Sequence, residues 1–363
     1  MRSQAGKKME NLSIRISRPK HLAPKVVFVD GIDGCGKTML APIVAAMDRV
    51  ELLTYAYEVE YVCALRHLGK IDADAAAATI SLLADLQLYN TMQSREINFR
   101  PGDLSSAFRF IRPMRYLRRL FEKGDAHAIE RIAAENPILL LTTHRLSAYG
   151  WPVFEALGSR VVLVEVVRHP LYMIIQSARN FSGIIGTVRD FSIYYDHRGG
   201  NLPFFAYGWE DTYLAASEID RMIHYLAHVT TMSCTMREKV RTAAGGSIVT
   251  IPFEKFVVAP DTYMRTLESA LGSRATRDTL RMLKKQKVPR QKYAESIDLD
   301  IYRRCGWEPP KVGLTEREEF GWRRKWIAAQ ASTSAMRVLD RLCDDYEAEW
   351  LGEVLRTPGG KYL

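Results

Sequence analysis

The sequence predicts a three-layer α/β fold with a mainly parallel sheet and a helical extension at its carboxyl end. Three observations carry that expectation. An apolar run at 26–29 (VVFV) passes through a glycine-rich turn into Met39, Leu40, Ile43, Val44 and Met47, which recur at helical spacing. Two further apolar runs, 137–143 (PILLLTT) and 160–167 (RVVLVEVV), flank a short helical stretch at 151–158. Strands that are apolar on both faces and joined through helices belong to parallel sheets covered on both sides. The third is the closing segment, where 332–355 reads as a helix beyond the last strand.

Taken in order, the chain opens with a basic, polar stretch at 1–24 that reads as a disordered leader. Arg2, Lys7, Lys8, Arg15, Arg18 and Lys20 are expected there as solvated charge, and nothing in it forms the apolar core of a secretory signal. The α/β domain is expected over 25–280 and the mainly helical extension over 281–363. After the first helix, 51–68 contains TYAYEVEYV. As a strand it sets Tyr55, Tyr57, Val59 and Tyr61 on one face and Ala56, Glu58 and Glu60 on the other; a helix is the open alternative. The Ala- and Leu-rich stretch 72–92 is helical. The next segment carries Arg95, Arg100, Arg109, Arg112, Arg115, Arg118 and Arg119, either as a solvated loop and helix or as a basic wall for an anionic substrate. Beyond the strand at 160–167 come Arg168-His169-Pro170 and an apolar helix, an aromatic loop at 190–211 and a long helix at 213–241. A strand at 247–252, a helix at 260–271 closed by Gly272 and a basic linker at 284–292 complete the order.

Composition sets wide bounds. The 363 residues suffice for one large domain with a sizeable core, or for two small ones. Hydrophobic content of 47% and charged content of 26% are ordinary for a globular protein. A net charge of +9 suits nucleic acid, an anionic membrane or a polyanionic nucleotide. No long block of like charge occurs, so a nucleic-acid partner is not required. Cys35, Cys63, Cys234, Cys305 and Cys343 are scattered, with no metal-ligand spacing, which suits a reducing compartment. No apolar run approaches the roughly 18 residues of a membrane span, and a cytoplasmic location is expected.

The chemistry starts at Gly31-Ile32-Asp33-Gly34-Cys35-Gly36-Lys37-Thr38. It fits G-x-x-x-x-G-K-[ST], the Walker A pattern of a P-loop, in its proper place between strand and helix. Glycines let backbone N–H groups turn inward at an anion, and the following helix adds the positive end of its dipole. Gly31, Asp33, Gly34, Cys35, Gly36, Lys37, Thr38 and Met39 are therefore candidate nucleotide-binding residues. Lys37 is placed to reach the outer phosphate-like group, and Thr38 an oxygen or a metal; a glycine-rich turn without a ligand is the bland alternative. His144, at the carboxyl end of the 137–143 strand, faces the same crevice and suits a general base, or else merely caps the surface. Arg168 ends the next strand with a planar fork fit for a phosphate, or caps the sheet edge. Ser177 follows on the helix that Pro170 begins. Phosphoryl transfer ordinarily needs an acidic residue at a strand end to hold magnesium. The 137–143 strand ends in threonines, and Glu165 lies inside its strand, so sulfuryl transfer is favoured over a kinase.

The order of these motifs, followed by IPFEKFVVAPDTYMRTLESALG, resembles the PAPS-dependent sulfotransferase family over roughly 26–272. The resemblance implies that the first loop holds the 5′-phosphosulfate end of PAPS and that His144 is the base. It gives Arg168 and Ser177 to the 3′-phosphate and makes PAP the product. Glu254, Pro260 and Gly272 match a later family passage. The chain departs from the pattern in having Gly34 where a basic residue is usual, Thr142 for the Lys of K-T-H, and Gln176 where the Ser is common. The late R-K-G-x-x-G motif is replaced at best by 321–326 (GWRRKW). FVDGIDGCGKT also resembles thymidylate-type kinases. The expected function is sulfuryl transfer from PAPS to a hydroxyl of a small-molecule or glycan acceptor, with Lys37 and His144 catalytic and Glu58 or Glu60 as alternative bases. The aromatics between Phe191 and Trp209 are available to stack on an acceptor. The rivals are a kinase using ATP with magnesium and a non-catalytic nucleotide-binding protein.

Overall fold

Val26, Val27, Phe28 and Val29 are β-branched or aromatic and fully buried, which fits the central strand of a sheet covered on both faces. The structure, a computed structural model, describes residues 14–243, 245–293, 303 and 313–352. Strands β1 (Lys25–Asp30), β2 (Thr54–Tyr55), β3 (Ile138–Thr142), β4 (Val161–Val167) and β7 (Ser247–Pro252) form a parallel sheet in the order β2–β3–β1–β4–β7. β5 (Tyr194–His197) and β6 (Gly200–Pro203) pair separately as an antiparallel hairpin. In β1, Val29 faces Thr142 on one side and Asp30 faces Glu165 on the other. β1 thus lies between β3 and β4, where successive connections leave in opposite directions and a crevice opens at the carboxyl ends.

Period-two alternation along β1 builds the two faces. Val27 and Val29 pack with Leu40, Ile43 and Val44 of α1 (Lys37–Ala45), whereas Val26 and Phe28 pack with Ile80, Ala84 and Leu88 of the helix at 73–92. The strand expectations at 26–29, 137–143, 160–167 and 247–252 are all realised.

Elsewhere the chain differs from its sequence reading. The stretch after α1 keeps only two residues of strand, then forms α2 (Tyr57–His67). Ala56, Val59 and Cys63 are buried at spacings of three and four, so the helix has an inner face. Glu58 and Glu60 therefore do not share a face. Next come α3 (Ala73–Met92), α4 (Pro113–Arg119) and α5 (Ala126–Glu135). The arginine-rich segment divides: Arg95, Arg100, Arg112 and Arg118 are exposed, as the solvated reading expects, whereas Arg115 and Arg119 turn inward. Buried Glu51 accepts from Arg115 Nη2 at 2.7 Å, Arg119 Nη1 at 2.8 Å and Tyr116 Oη at 3.0 Å, while Arg112 pairs with Asp278.

The amino-terminal segment is anchored from 16 onward. Ile16 N donates to Asp74, and Arg18 Nε, Leu22 N and Ala23 N all reach Asp85 of α3. Arg18 is thus not solvated charge, while residues 1–13 of the expected leader lie outside the described residues.

The remaining helices are α6 (Leu146–Tyr149), α7 (Trp151–Leu157), α8 (Pro170–Ile184), α9 (Glu210–Ala215), α10 (Glu218–Thr242), α11 (Phe253–Val258), α12 (Pro260–Leu271), α13 (Arg277–Lys285), α14 (Glu316–Ala328) and α15 (Thr333–Tyr346). The aromatic loop at 190–211 contains the β5–β6 hairpin, and the long helix after it breaks at Ser217, which caps α10. Phe320, Ile327 and Leu339 of α14 and α15 share one core cluster with α1 and α8. The carboxyl-terminal helices are therefore fused to the sheet domain. Arg323 and Arg324, in the stretch that replaces R-K-G-x-x-G, are held by Glu319 and Asp340. Cys305, and 353–355 of the last expected helix, lie outside the described residues. No helix among the described residues is long and apolar enough to cross a membrane.

Candidate active site

The loop between β1 and α1 is curled by glycine. Gly36 has φ 110°, and a Cβ there would lie 2.3 Å from Cδ2 of Phe253; at Gly31, with φ 144°, it would lie 2.5 Å from the Val166 carbonyl oxygen. Neither position accepts a side chain, so the backbone alone forms this part of the cradle. Lys37 folds back onto the Gly31 carbonyl. Thr38 is half-buried at the start of α1. Met39 turns its side chain into the core and gives its N–H to Gly36 O at 3.0 Å, so it offers the cradle neither group. Burial pushes the Cys35 thiol up to about 11, which leaves it a protonated wall group.

Arg168 and Ser177 face the outer side of this loop. Arg168 is buried on the rings of Phe253 and Tyr172, 4.2 and 4.7 Å from their centroids, and donates from Nη1 to Gly34 O at 2.9 Å. Ser177 Oγ donates to Asp33 O at 3.2 Å. Both side chains, expected on a 3′-phosphate, here hold the loop's own carbonyls. Gln176, in the place where the Ser is more common, also abuts Gly34.

His144 and its neighbours are positioned from β1. Asp30, fully buried, accepts from Thr143 Oγ1 at 2.7 Å, Leu146 N at 3.0 Å and Ser147 N at 2.7 Å. The two residues inside that clamp, His144 and Arg145, project at the crevice. The sequence reading passed over Asp30; the signal available was an acid closing an otherwise apolar strand. Glu60 of α2 accepts from His144 N at 2.6 Å and from Arg145 N at 3.2 Å, and its Oε2 lies 3.1 Å from His144 Nδ1. Burial pushes the Glu60 carboxyl up, but His144, Arg145 and the hydrogen bonds outweigh it and hold the group below the usual carboxylate value. Tyr55 and Tyr57 stack on the His144 ring. Burial, with Tyr55 and Glu60 nearby, pushes Tyr57 up to about 12. Glu58, the other alternative base, is exposed.

These groups open on one cavity of about 280 Å³. Asp33 of the loop, Glu60, His144 and Arg145 line one end; Tyr57, Tyr149, Phe181, Ile184, Phe191 and Phe204 line the rest. The aromatic segment after Phe191 thus contributes its first part to the cavity. Glu165 does not face it. Glu165 accepts from Arg237 Nη1 and Thr250 Oγ1, both at 2.9 Å, and burial pushes its carboxyl up against their pull.

Fold and site together define an open α/β sheet with a glycine-curled loop at the carboxyl end of its central strand and an imidazole–carboxylate pair at the end of the next. No family model and no curated protein matches the chain. Among solved structures it is similar to the sulfotransferase domain from the curacin biosynthetic pathway, with 12% identity and TM-score 0.38, over 85% of this chain and 97% of that one. It is similar to the sulfotransferase domain of the Synechococcus PCC 7002 olefin synthase at 10% identity and TM-score 0.36, over 87% and 98%. It is also similar to retinol dehydratase in complex with androsterone and inactive cofactor PAP, at 13% identity and TM-score 0.34, over 94% and 84%. These are likenesses of shape at low identity, and the chemistry of this chain rests on its own residues.

Proposed function

We propose that the chain is a sulfotransferase that moves a sulfuryl group from PAPS to a hydroxyl of a small-molecule or glycan acceptor. One observation supports the reading: the loop reaches the cavity of the fixed imidazole through Asp33, which shares its wall with His144, while Gly31, Ile32 and Cys35 line a second cavity with Arg168. The 5′ end of the donor is assigned to the loop on its G-x-x-x-x-G-K-T pattern, with Gly31 and Gly36 packed against the Val166 carbonyl and the Phe253 ring. Bound there, PAPS supplies an activated sulfuryl group on a phosphate leaving group. The loop amides and Lys37, released from the Gly31 carbonyl, hold that phosphate end and its developing charge. With Nδ1–H given to Glu60, His144 keeps a lone pair on Nε2 and takes the hydroxyl proton there. Glu60 then stabilises the imidazolium. Arg168 and Ser177 act through the loop, by holding its carbonyls outward.

An ATP-dependent kinase of a small molecule or nucleotide is the second reading. The Lys37-Thr38 ending of the loop favours it, since that is where a kinase holds phosphate and magnesium. Against it, Asp30 at the end of β1 and Glu165 inside β4 are both engaged by internal donors. Calorimetry with PAP, and with ATP plus magnesium, each with and without EDTA, tests the choice. PAP is expected to bind without metal and more tightly than ATP. A preference for magnesium-ATP of about tenfold, roughly 1.4 kcal/mol, gives the protein to the kinases. Binding of both without turnover of any hydroxyl acceptor gives a non-catalytic nucleotide-binding protein.

A further inference from the structure

Arg145, one of two arginines in the cavity wall with Arg189, uses only part of its hydrogen-bonding capacity. Its Nε donates to Tyr225 Oη at 2.7 Å, and its guanidinium lies 4.6 Å from the centroid of the Phe205 ring. Nη1 and Nη2 have no hydrogen-bond partner among the described residues, and neither is among the polar atoms sealed from solvent. They belong to a side chain that lines the cavity. Tyr225, Asp33 and Glu60 hold the group charged against its burial. The wall holds three carboxylates: Asp33, whose charge already acts on Arg145, and Glu60 and Asp190, which are engaged elsewhere. Glu60 takes His144 N, His144 Nδ1 and Arg145 N, and Asp190 takes Gly186 N, Ser192 N and Tyr194 Oη.

A planar pair of N–H donors in a wall that also carries Arg189 and a run of aromatic and aliphatic side chains is matched by a carboxylate, which accepts both at once. We infer that the acceptor is an aromatic or alicyclic hydroxy acid, whose carboxylate is held by Arg145 while its hydroxyl meets His144. The inference rests on the transferase reading for the hydroxyl alone; the acid site stands on the cavity itself. It excludes neutral alcohols and uncharged glycans as preferred acceptors.

The probes are 6-hydroxy-2-naphthoate and 2-naphthol, which differ by one carboxylate and are small enough for about 280 Å³. Fluorescence titration with PAP present is expected to give tighter binding of the hydroxynaphthoate by about tenfold or more, as charge-assisted hydrogen bonds do. In Arg145→Met the preference should vanish while 2-naphthol binding holds, and Arg145→Lys should keep part of it. Equal binding of the two probes by the wild-type protein overturns the proposal, and needs no variant to fold. A preference that survives in a folded Arg145→Met also overturns it. So does an Arg145→Met variant that loses adenosine 5′-phosphosulfate but not hydroxynaphthoate, since the cation then serves the donor's sulfuryl group. Selective hydroxynaphthoate binding by a protein that binds no PAP keeps the acid site and removes PAPS as donor, so the two failures are distinct.

Discussion

Arg168 donates from Nη1 to the carbonyl oxygen of Gly34 across 2.9 Å, out of a buried position between two aromatic rings. With Ser177 on the Asp33 carbonyl, it turns two successive loop carbonyls outward. In the Gly34–Cys35 peptide so held, the other edge, Cys35 N–H, closes the turn by donating to Ile32 O at 3.1 Å. Arg168 therefore shapes the cradle from behind.

Its removal should act on every loop ligand alike. Arg168→Ala is expected to weaken PAP and adenosine 5′-phosphosulfate by similar factors, about 1.5 to 3 kcal/mol for a hydrogen bond to a charged group. Calorimetry with both ligands checks this. A loss confined to PAP would assign Arg168 to the 3′-phosphate, as the family resemblance implies, and remove the brace.

His144→Ala should lower turnover by about 10² to 10⁴ and leave PAP affinity nearly unchanged. The imidazole is held beside Tyr57 and Glu60, and no hydrogen bond among the described residues joins its ring to the loop. Steady-state kinetics beside a PAP titration separates the two effects. A folded variant that keeps more than a third of its turnover sinks His144 as base.

Glu60 gives a pH signature. Its folded value lies below the ordinary 4.5, owing to His144, Arg145 and their hydrogen bonds acting against burial. A depressed carboxylate contributes stability that is complete above the unfolded value and is lost as pH falls through the folded one. The melting-temperature gap between wild type and Glu60→Gln should thus be widest near neutrality and shrink below about pH 4.5. A gap that widens on acidification contradicts the pairing.

Gly36→Ala should disable the loop without unfolding the protein. The new Cβ meets the Phe253 ring at 2.3 Å in a backbone conformation that side chains rarely adopt. Strain of this kind costs about 1 to 3 kcal/mol, and PAP affinity should fall steeply. Trimming the ring in Gly36→Ala/Phe253→Leu should recover part of the affinity; no recovery would place the whole cost in the backbone angle.

Much of the frame was legible in the chain. β1, β3 and β4 follow from nearly continuous apolar runs, because a strand covered on both faces needs apolar side chains at almost every position, and edge strand β7 follows from the β-branched run 248–251 (IVTI). The loop was legible because Gly31, Gly36 and Lys37-Thr38 fall at the offsets that G-x-x-x-x-G-K-[ST] fixes. The stretch at 51–68 was misread because Tyr55, Tyr57, Val59 and Tyr61 alternate as in a strand. What selects α2 is burial of Ala56, Val59 and Cys63 against the sheet, a fact of packing.

By itself the sequence determined the sheet, the loop and the place of His144 at a strand end. Each is written in residues a few positions apart, and periodicity and backbone conformation act over that range. Only the tertiary structure decided what the side chains do. Glu60 meets His144 across 84 positions, Arg168 meets Gly34 across 134, and Arg119 is drawn from an apparent basic surface to buried Glu51 across 68. A charged group reveals neither its partner nor its freedom until the apolar segments around it have packed, because burial is what makes leaving it unpaired costly.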